Sequence, residues 1–454
     1  MTIIMRTFLI ILFCIVEQVA LIQSAPAQST DSTQSGVKTA AAETSEPTTK
    51  AAEPSWLTLG FQQTFVSQGH GTLNVPYSGE RSLKSSSELA MTLSATLFAS
   101  ARLWKGGEIV IHPEIAGGAG ISGAVGLAGF SNGEAVRAGN PSPALYFARY
   151  YLKQSFDLSS STDDKDASKL SVLAGKFSVG DFFDANAYSH DPRGQFLNWS
   201  LMSNGAWDMP ADVRGYTLGS VVEYSNATWA ARLLGAMVPV EANGAELDTR
   251  LANAHGLALE LEYHYALGGR SGAVRALAYR NTGRMGRHNE LLAAMSQVTP
   301  TDDDIIHRYG AVKYGFGLNI EQQINENVGV FMRAGWNDGA TESWMFTQID
   351  QTLSAGALIN GALWNRRGDN AGLGFAANGI SQNHRDFLAN GGTGFIVGDG
   401  KLTYGAEIVL EAFYKVRIAE WFSLTADYQF VVNPAYNQDR GTVGIAALRG
   451  HIEL

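Results

Sequence analysis

The stretch ELAMTLSATLFASARLW, Glu88 to Trp104, restricts the fold more than any other part of the 454-residue chain. Leu89, Met91, Leu93, Ala95, Leu97, Ala99, Ala101 and Leu103 are all apolar. Between them stand Ala90, Thr92, Ser94, Thr96, Phe98, Ser100 and Arg102, mostly small or polar. Successive residues of a strand point to opposite faces, so this segment has one apolar and one wet face. A helix fits worse, because steps of three and four from Leu89 land on Thr92, Thr96 and Ser100. Soluble strands run about five or six residues, and this alternation lasts far longer.

The pattern recurs along the chain. Leu57, Leu59 and Phe61 begin a strand at Trp56, and Ile109, Ile111 and Ile115 alternate with Glu108, His112 and Glu114. Tyr146, Ala148, Tyr150 and Leu152 alternate with Phe147, Arg149, Tyr151 and Lys153. Leu257, Leu259, Leu261, Tyr263 and Tyr265 oppose Ala258, Glu260, Glu262 and His264. Val312 to Ile320, Val328 to Ala334, Tyr404 to Tyr414 and Phe422 to Phe430 repeat the alternation. The last strand runs from about Val443 to Leu454. Weaker strands are expected near 168–177, 213–225, 227–238, 272–281, 341–350, 353–361 and 371–378. This gives about sixteen or seventeen strands with no helical layer between them.

A soluble sandwich buries its apolar face against a second sheet. Here one face stays apolar while the other repeatedly carries Arg, Glu and His. Trp56, Trp104, Tyr224, Trp229, Tyr265, Tyr309, Trp336, Tyr404 and Trp421 gather near strand ends. Lipid-facing apolar residues, lumen-facing polar ones and aromatic girdles describe an outer-membrane barrel. Only helices and closed barrels satisfy every backbone group in lipid. Beyond the first thirty residues no apolar run approaches the roughly 20 needed for a membrane helix. The expected fold is therefore an all-β, transmembrane antiparallel β-barrel of about 16 strands, set among outer-membrane lipids and lipopolysaccharide.

The N-terminus reads as an export signal. Arg6 is followed by a short apolar run from Phe8 to Val16 and by Ala25-Pro26-Ala27, an A-x-A cleavage site. The domain reading is a signal peptide over 1–27, a flexible periplasmic linker over 28–55 and the barrel over 56–454. The only cysteine, Cys14, lies inside the signal segment. The mature chain then has no thiol for disulfides, catalysis or metal binding. A formal net charge of −10 argues against a nucleic-acid partner.

Long connections at 116–143, 178–212, 282–308 and 379–402 stand against short turns such as Asn226-Ala227. Long loops in compact domains are usually functional. The 178–212 segment mixes aromatic and charged residues. Catalysis and metal binding have little support. The acidic runs DLSSSTDDKD and TPTDDDII lack a calcium loop's spacing. The nine histidines form no H-E-x-x-H, and NGGTGFIVGDG lacks the lysine and helix of a phosphate loop. No cofactor and no metal is expected.

Several stretches, in order, resemble the carbohydrate-selective porins of the OprB type. They include LWKGGEIVIHPEIAGG with GLAGFSNGEAVRAG, GKFSVGDFFDANAYSHDPRGQFLNWSL, and FMRAGWNDGATESWMFTQID. FLANGGTGFIVGDGKLTYGAEIVLEAFY and VVNPAYNQDRGTVGIAALRGHIEL complete the series. The resemblance covers essentially Trp56 to the end. It implies a sixteen-stranded, usually monomeric barrel that passes sugars into the periplasm by diffusion. One departure is the last residue, Leu454, where such barrels commonly end in Phe. By the same resemblance, 178–212 folds inward as the constriction, with Arg193, Asn198, Trp199 and Trp207 suited to a sugar.

On the alternation alone, Glu108, Glu114, Arg149, Lys153, Arg232, Glu260, Glu262, Arg275, Arg333, Glu407, Glu411, Asp427 and Arg449 project into the lumen. Of the wall groups, Glu108, Glu114, Arg149, Lys153, Glu262, Arg275 and Arg333 are taken with the four loop residues as the candidate sugar-lining set. A sugar presents hydroxyls at its rim and C–H bonds on its faces. Charged and amide groups bond the former and aromatic rings stack on the latter, while pore width sets selectivity. The competing readings are a general porin for small polar solutes or ions, an outer-membrane enzyme, and a closed structural barrel.

Overall fold

The computed structural model describes residues 56–134, 142–159, 167–295 and 306–454. The expected signal segment, 1–27, and the expected linker, 28–55, lie outside the described residues. Sixteen antiparallel strands close into one barrel, each paired with its neighbours in sequence. The first eight are β1 Leu57–His70, β2 Glu88–Trp104, β3 Gly107–Gly118, β4 Ala144–Asp157, β5 Ser168–Phe177, β6 Thr217–Asn226, β7 Trp229–Ala236 and β8 His255–Leu267. The others are β9 Arg270–Gly283, β10 Ala311–Asn325, β11 Val328–Asn337, β12 Gln351–Asn360, β13 Asn370–Gly379, β14 Glu407–Ala419, β15 Phe422–Val432 and β16 Thr442–Glu453. Pairing of β1 with β16, from Gln62↔Glu453 to His70↔Ile445, closes the ring and removes both sheet edges. Leu454 joins this seam, its amide donating to the Phe61 carbonyl at 2.8 Å.

The opening stretch is β2, all 17 residues of it. Leu89 and Met91 lie exposed on the outside, as lipid-facing residues do, while Thr92, Ser94 and Thr96 are buried inside. Trp56, Trp104, Trp229, Trp364 and Trp421 sit at the end carrying the short turns, and Tyr314 and Trp336 near the other. No helix among the described residues is long and apolar enough to cross a membrane.

Eight connections, most of them long, emerge at one end: 71–87, 119–143, 178–216, 237–254, 284–310, 338–350, 380–406 and 433–441; those at the other end are mostly two-residue turns, with 158–167 and 361–369 the longer ones. They are called L1 to L8. In outer-membrane barrels such loops are extracellular and the short turns periplasmic. A roof forms from short helices in L5 (His288–Met295) and L7 (Gln382–Ala389). The buried rings of His288 and His384 stack at 4.3 Å, and His384 Nδ1 lies 3.1 Å from Asp350 Oδ2.

Three local expectations fail. Residues 341–350 form no strand; they belong to L6 and pack inward through Trp344, Met345 and Ile349. Tyr404 faces no lipid, since it lies in L7 with the Arg385 guanidinium 3.6 Å over its ring. In β4, Tyr146 points inward and Phe147 outward, opposite to the expected phase. The pairing jumps from His112↔Arg149 to Pro113↔Phe147, which leaves Ala148 as an extra residue. Pro113 has no amide for the ladder, and a bulge beside it inverts every earlier residue of β4.

Candidate functional site

L3 turns into the barrel instead of covering it. The turn begins with a capping box, in which the Ser178 and Asp181 side chains each bond the other's backbone. Asp184 then becomes the hub. Its carboxylate accepts from the Asn204 amide at 2.7 Å, Asn319 Nδ2 at 2.6 Å and Arg333 Nε at 3.0 Å. Asn198 caps the one-turn helix Trp199–Met202, accepting from the Ser200 amide at 3.0 Å.

The wall from β8 to β16 supplies the partners this irregular backbone needs. Glu260 accepts from the Asp184 amide and Glu321 from the Ala187 amide, both at 2.7 Å. Glu411 accepts from the amides of Leu197 at 2.6 Å and Asn198 at 2.9 Å. Arg333 donates to the carbonyls of Leu201 at 2.9 Å and Ser189 at 2.6 Å. Arg449 donates to those of Pro192 and Gln195. Buried backbone groups away from water require such partners, and charged ones make the stronger bonds.

The same wall makes room with inward glycines. A Cβ on Gly329 would fall 1.9 Å from the Tyr188 ring, one on Gly335 2.0 Å from Asn204, and one on Gly374 2.9 Å from Phe196. Phe196 packs edge-on against Phe331 and Phe413 at 5.4 and 5.1 Å. Inward glycines on β10, β11 and β13 are the sequence signal that locates the docked loop. The charges alone do not carry it.

Several of the expected sugar-lining residues are engaged by other groups of the protein. Arg333 is wholly buried and engaged with L3. Glu262 and Arg275 belong to a wall network: Arg232 Nη1 lies 2.5 Å from Glu262, Arg275 Nη2 2.8 Å from Glu262, and Arg275 Nη1 3.2 Å from Glu321. Asn198 is used as a cap and as a donor to Gln429 Oε1 at 3.0 Å. Trp207 is 1% exposed, wedged between Phe183 and Tyr279, and faces no opening. The loop's own aromatic residues form the core that holds it in place.

The opposite side keeps open space. Glu114 of β3, Tyr146 of β4 and Tyr216 at the end of L3 line a cavity with Phe130 and Glu134 of L2, Trp199 and Arg214 of L3, and Phe346 of L6. Its volume, counting its opening, is about 460 Å³. Glu114 accepts from Thr96 Oγ1 at 2.6 Å, from Tyr216 at 3.0 Å and from Tyr146. Trp199 stacks on Phe346 at 4.7 Å and meets Phe130 edge-on at 6.2 Å. Arg193 Nε lies 3.0 Å from Glu134 Oε1. Burial works against the Arg193 charge, but the carboxylates of Glu134 and Asp191 outweigh it and hold its pKa above the ordinary arginine value.

Below the cavity, Arg149 grips Asp181 with two bonds, at 2.6 and 2.5 Å. Towards the short turns, Arg102, Glu108 and Lys153 stand opposite one another across β2, β3 and β4. The structure thus brings Glu114, Arg193 and Trp199 together, with Arg149 beneath them and Glu108 and Lys153 farther down the same wall. Tyr146, Tyr216, Arg214 and Phe346 join the cavity without having been expected there. The β4 bulge hid Tyr146, and the other three lie in L3 and L6, where strands were expected near 213–225 and 341–350 and loop packing is found instead. No group of three or more His, Cys, Asp or Glu side chains that could hold a metal occurs among the described residues.

Several solved structures are similar to this chain. OprB of Pseudomonas putida superposes with a TM-score of 0.64 at 15% identity, covering 87% of this chain and 94% of that one. The DcaP channel of Acinetobacter baumannii gives 0.48 at 10% identity over 88% and 97% of the two chains. OmpT, an outer membrane protein of Vibrio cholerae, gives 0.45 at 12% over 88% and 97%. No curated protein matches the chain. The model of the carbohydrate-selective porin, OprB family, matches residues 80–454. With its closed sixteen-strand barrel and in-folded L3, the chain belongs to that family and is an outer-membrane carbohydrate porin.

Proposed function

We propose that sugars pass by diffusion through the gap between L3 and the β2–β6 wall, and that the cavity at Glu114 is its narrowest selective point. The observation that carries this reading is the juxtaposition of the stacked Trp199 and Phe346 rings with Glu114, Glu134 and Arg214 in one cavity, where Arg193 backs Glu134. Rings take the C–H faces of a sugar and the charged groups exchange its hydration for protein bonds, so a solute crosses at small net cost. Arg149, Glu108 and Lys153 continue the polar lining towards the periplasm. Arg333 supports L3 from the far side, Glu262 and Arg275 join the wall network there, and Asn198 and Trp207 hold L3 from within. On this reading residues 1–27 are removed on export, 28–55 form a linker, the barrel works as a monomer, and the protein is a passage and not an enzyme.

Liposome swelling with purified protein tests the reading. Glucose should enter faster than amino acids of similar size, and Trp199→Ala should reduce that preference while total salt conductance rises. Equal rates for sugars and amino acids would favour a general porin. An unchanged preference in Trp199→Ala would remove the cavity from the path.

A further inference from the structure

Two donors in this cavity have no hydrogen-bond partner among the described residues. Trp199 is 6% exposed, and its indole Nε1 is buried without a hydrogen-bond partner among the described residues. Arg214 Nη1 is in the same condition. The Arg214 guanidinium lies over the Tyr146 ring, 4.1 Å from its centre. Its backbone is fixed, with the Arg214 amide donating to Asp212 Oδ1 at 2.9 Å and the Val213 amide to the Gly244 carbonyl at 2.9 Å.

The neighbouring cations differ. Arg149 holds Asp181, Arg193 holds Glu134, and Lys176 lies 3.5 Å from Asp212. Arg214 has no carboxylate within ion-pair distance among the described residues. The acceptors of the cavity are meanwhile occupied. Glu114 Oε1 receives both tyrosine hydroxyls and Oε2 receives Thr96, so its accepting capacity is taken by three donors, and Glu134 is held by Ser94 and Arg193. The unanswered group is a cation, and the unused hydrogen-bonding capacity beside it is an N–H. A buried donor left unpaired is unfavourable. A planar guanidinium matches a carboxylate with two parallel bonds.

We propose that this passage prefers sugars bearing a carboxylate, such as hexuronates, over neutral sugars of the same size. Arg214 receives the acid group and the Trp199 N–H a second oxygen of the ring. The inference rests on the reading of the same cavity as the sugar path. A site built to bond a polar group discriminates strongly against the analogue that lacks it.

Single-channel recording on the full chain in planar bilayers tests it, with glucose, glucuronate and acetate added in turn. Glucuronate should halve the current at about one-tenth the glucose concentration, the ratio expected of one charge-assisted contact. Arg214→Gln should bring that ratio to about one, and Trp199→Phe, which keeps a ring but removes the N–H, should lower it by less. Acetate should produce no block. Equal block by the two sugars in the unaltered channel overturns the proposal while leaving the sugar path intact. So does an unchanged ratio in a folded, conducting Arg214→Gln channel, or acetate block equal to that of glucuronate. If neither sugar affects the current, both the proposal and the sugar path fall.

Discussion

The two halves of the barrel wall carry similar inward charges and use them differently. From β8 to β16, Glu260, Glu321, Arg333, Glu411 and Arg449 bond the amides and carbonyls of L3. From β2 to β5, Arg102, Glu108 and Lys153 bond no loop backbone in this way, and Glu114 faces a cavity. Strand alternation says that a side chain points inward; it does not say whether it meets water or a folded loop. The inward glycines separate the halves. Gly329, Gly335 and Gly374 stand where L3 presses against the wall.

Removing a docking-side charge should have the largest effect. Arg333→Met leaves the buried Asp184 carboxylate and the Ser189 and Leu201 carbonyls unanswered. Breaking such a buried pair costs about 3–5 kcal/mol. Urea unfolding should register this loss, and single-channel conductance should rise as L3 leaves its seat. Wild-type values for both would erase the distinction between the halves.

Filling a docking-side space should come next. In Gly374→Val the new Cβ alone would fall 2.9 Å from Phe196 and 3.0 Å from Leu201, inside van der Waals contact, and overpacking costs about 1–3 kcal/mol. Ser100→Val, inward on β2 where no loop lies, should leave stability unchanged. Comparing the two unfolding midpoints sharpens the assignment.

The roof carries a pH dependence of its own. Burial first, and then the stacked His384, hold the His288 pKa well below the ordinary imidazole value, with Asp350 opposing and Lys313 assisting. His288 is therefore neutral in the folded protein. Its contribution is complete above the unfolded value of about 6.5 and is lost as pH falls towards the folded one, because only the unfolded chain takes up the proton. Thermal stability should fall between about pH 7 and pH 5, and His288→Asn should flatten that slope. A slope unchanged in the variant would assign the loss to other groups.

The smallest stability effect belongs to the open side. Lys153→Ala should change stability by less than about 0.5 kcal/mol, since the residue is half-exposed and holds no loop. Its signature is electrical: reversal potentials in a salt gradient should shift towards cation preference. A large stability loss here would mean that this wall also supports a loop.

The barrel was legible in the sequence because lipid on one side and polar surroundings on the other impose a period of two. β2 and β5 therefore emerge with their observed limits. Phase failed at Ala148, where a bulge changes facing with no change of composition. The candidate site was legible by half. Glu114 and Arg149 lie on strands and follow the alternation, but Arg214, Tyr216 and Phe346 are placed by loop packing, which has no period. Trp207 illustrates the limit from the other direction. An aromatic residue in a polar loop signals that the loop packs against something, and here it packs against Tyr279 and not towards the passage.

The central claim is that L3 fills the β8–β14 side and leaves the passage along β2–β6. Paired cysteine accessibility tests it most directly, in a background with Cys14 replaced by Ser. Ser100 on β2 faces the open side, whereas Ser354 on β12 is wholly buried beneath L3. A charged thiol reagent added during recording should lower the current through Ser100→Cys channels at once and leave Ser354→Cys channels unchanged. Equal reaction at both positions, or reaction at Ser354→Cys alone, would contradict it.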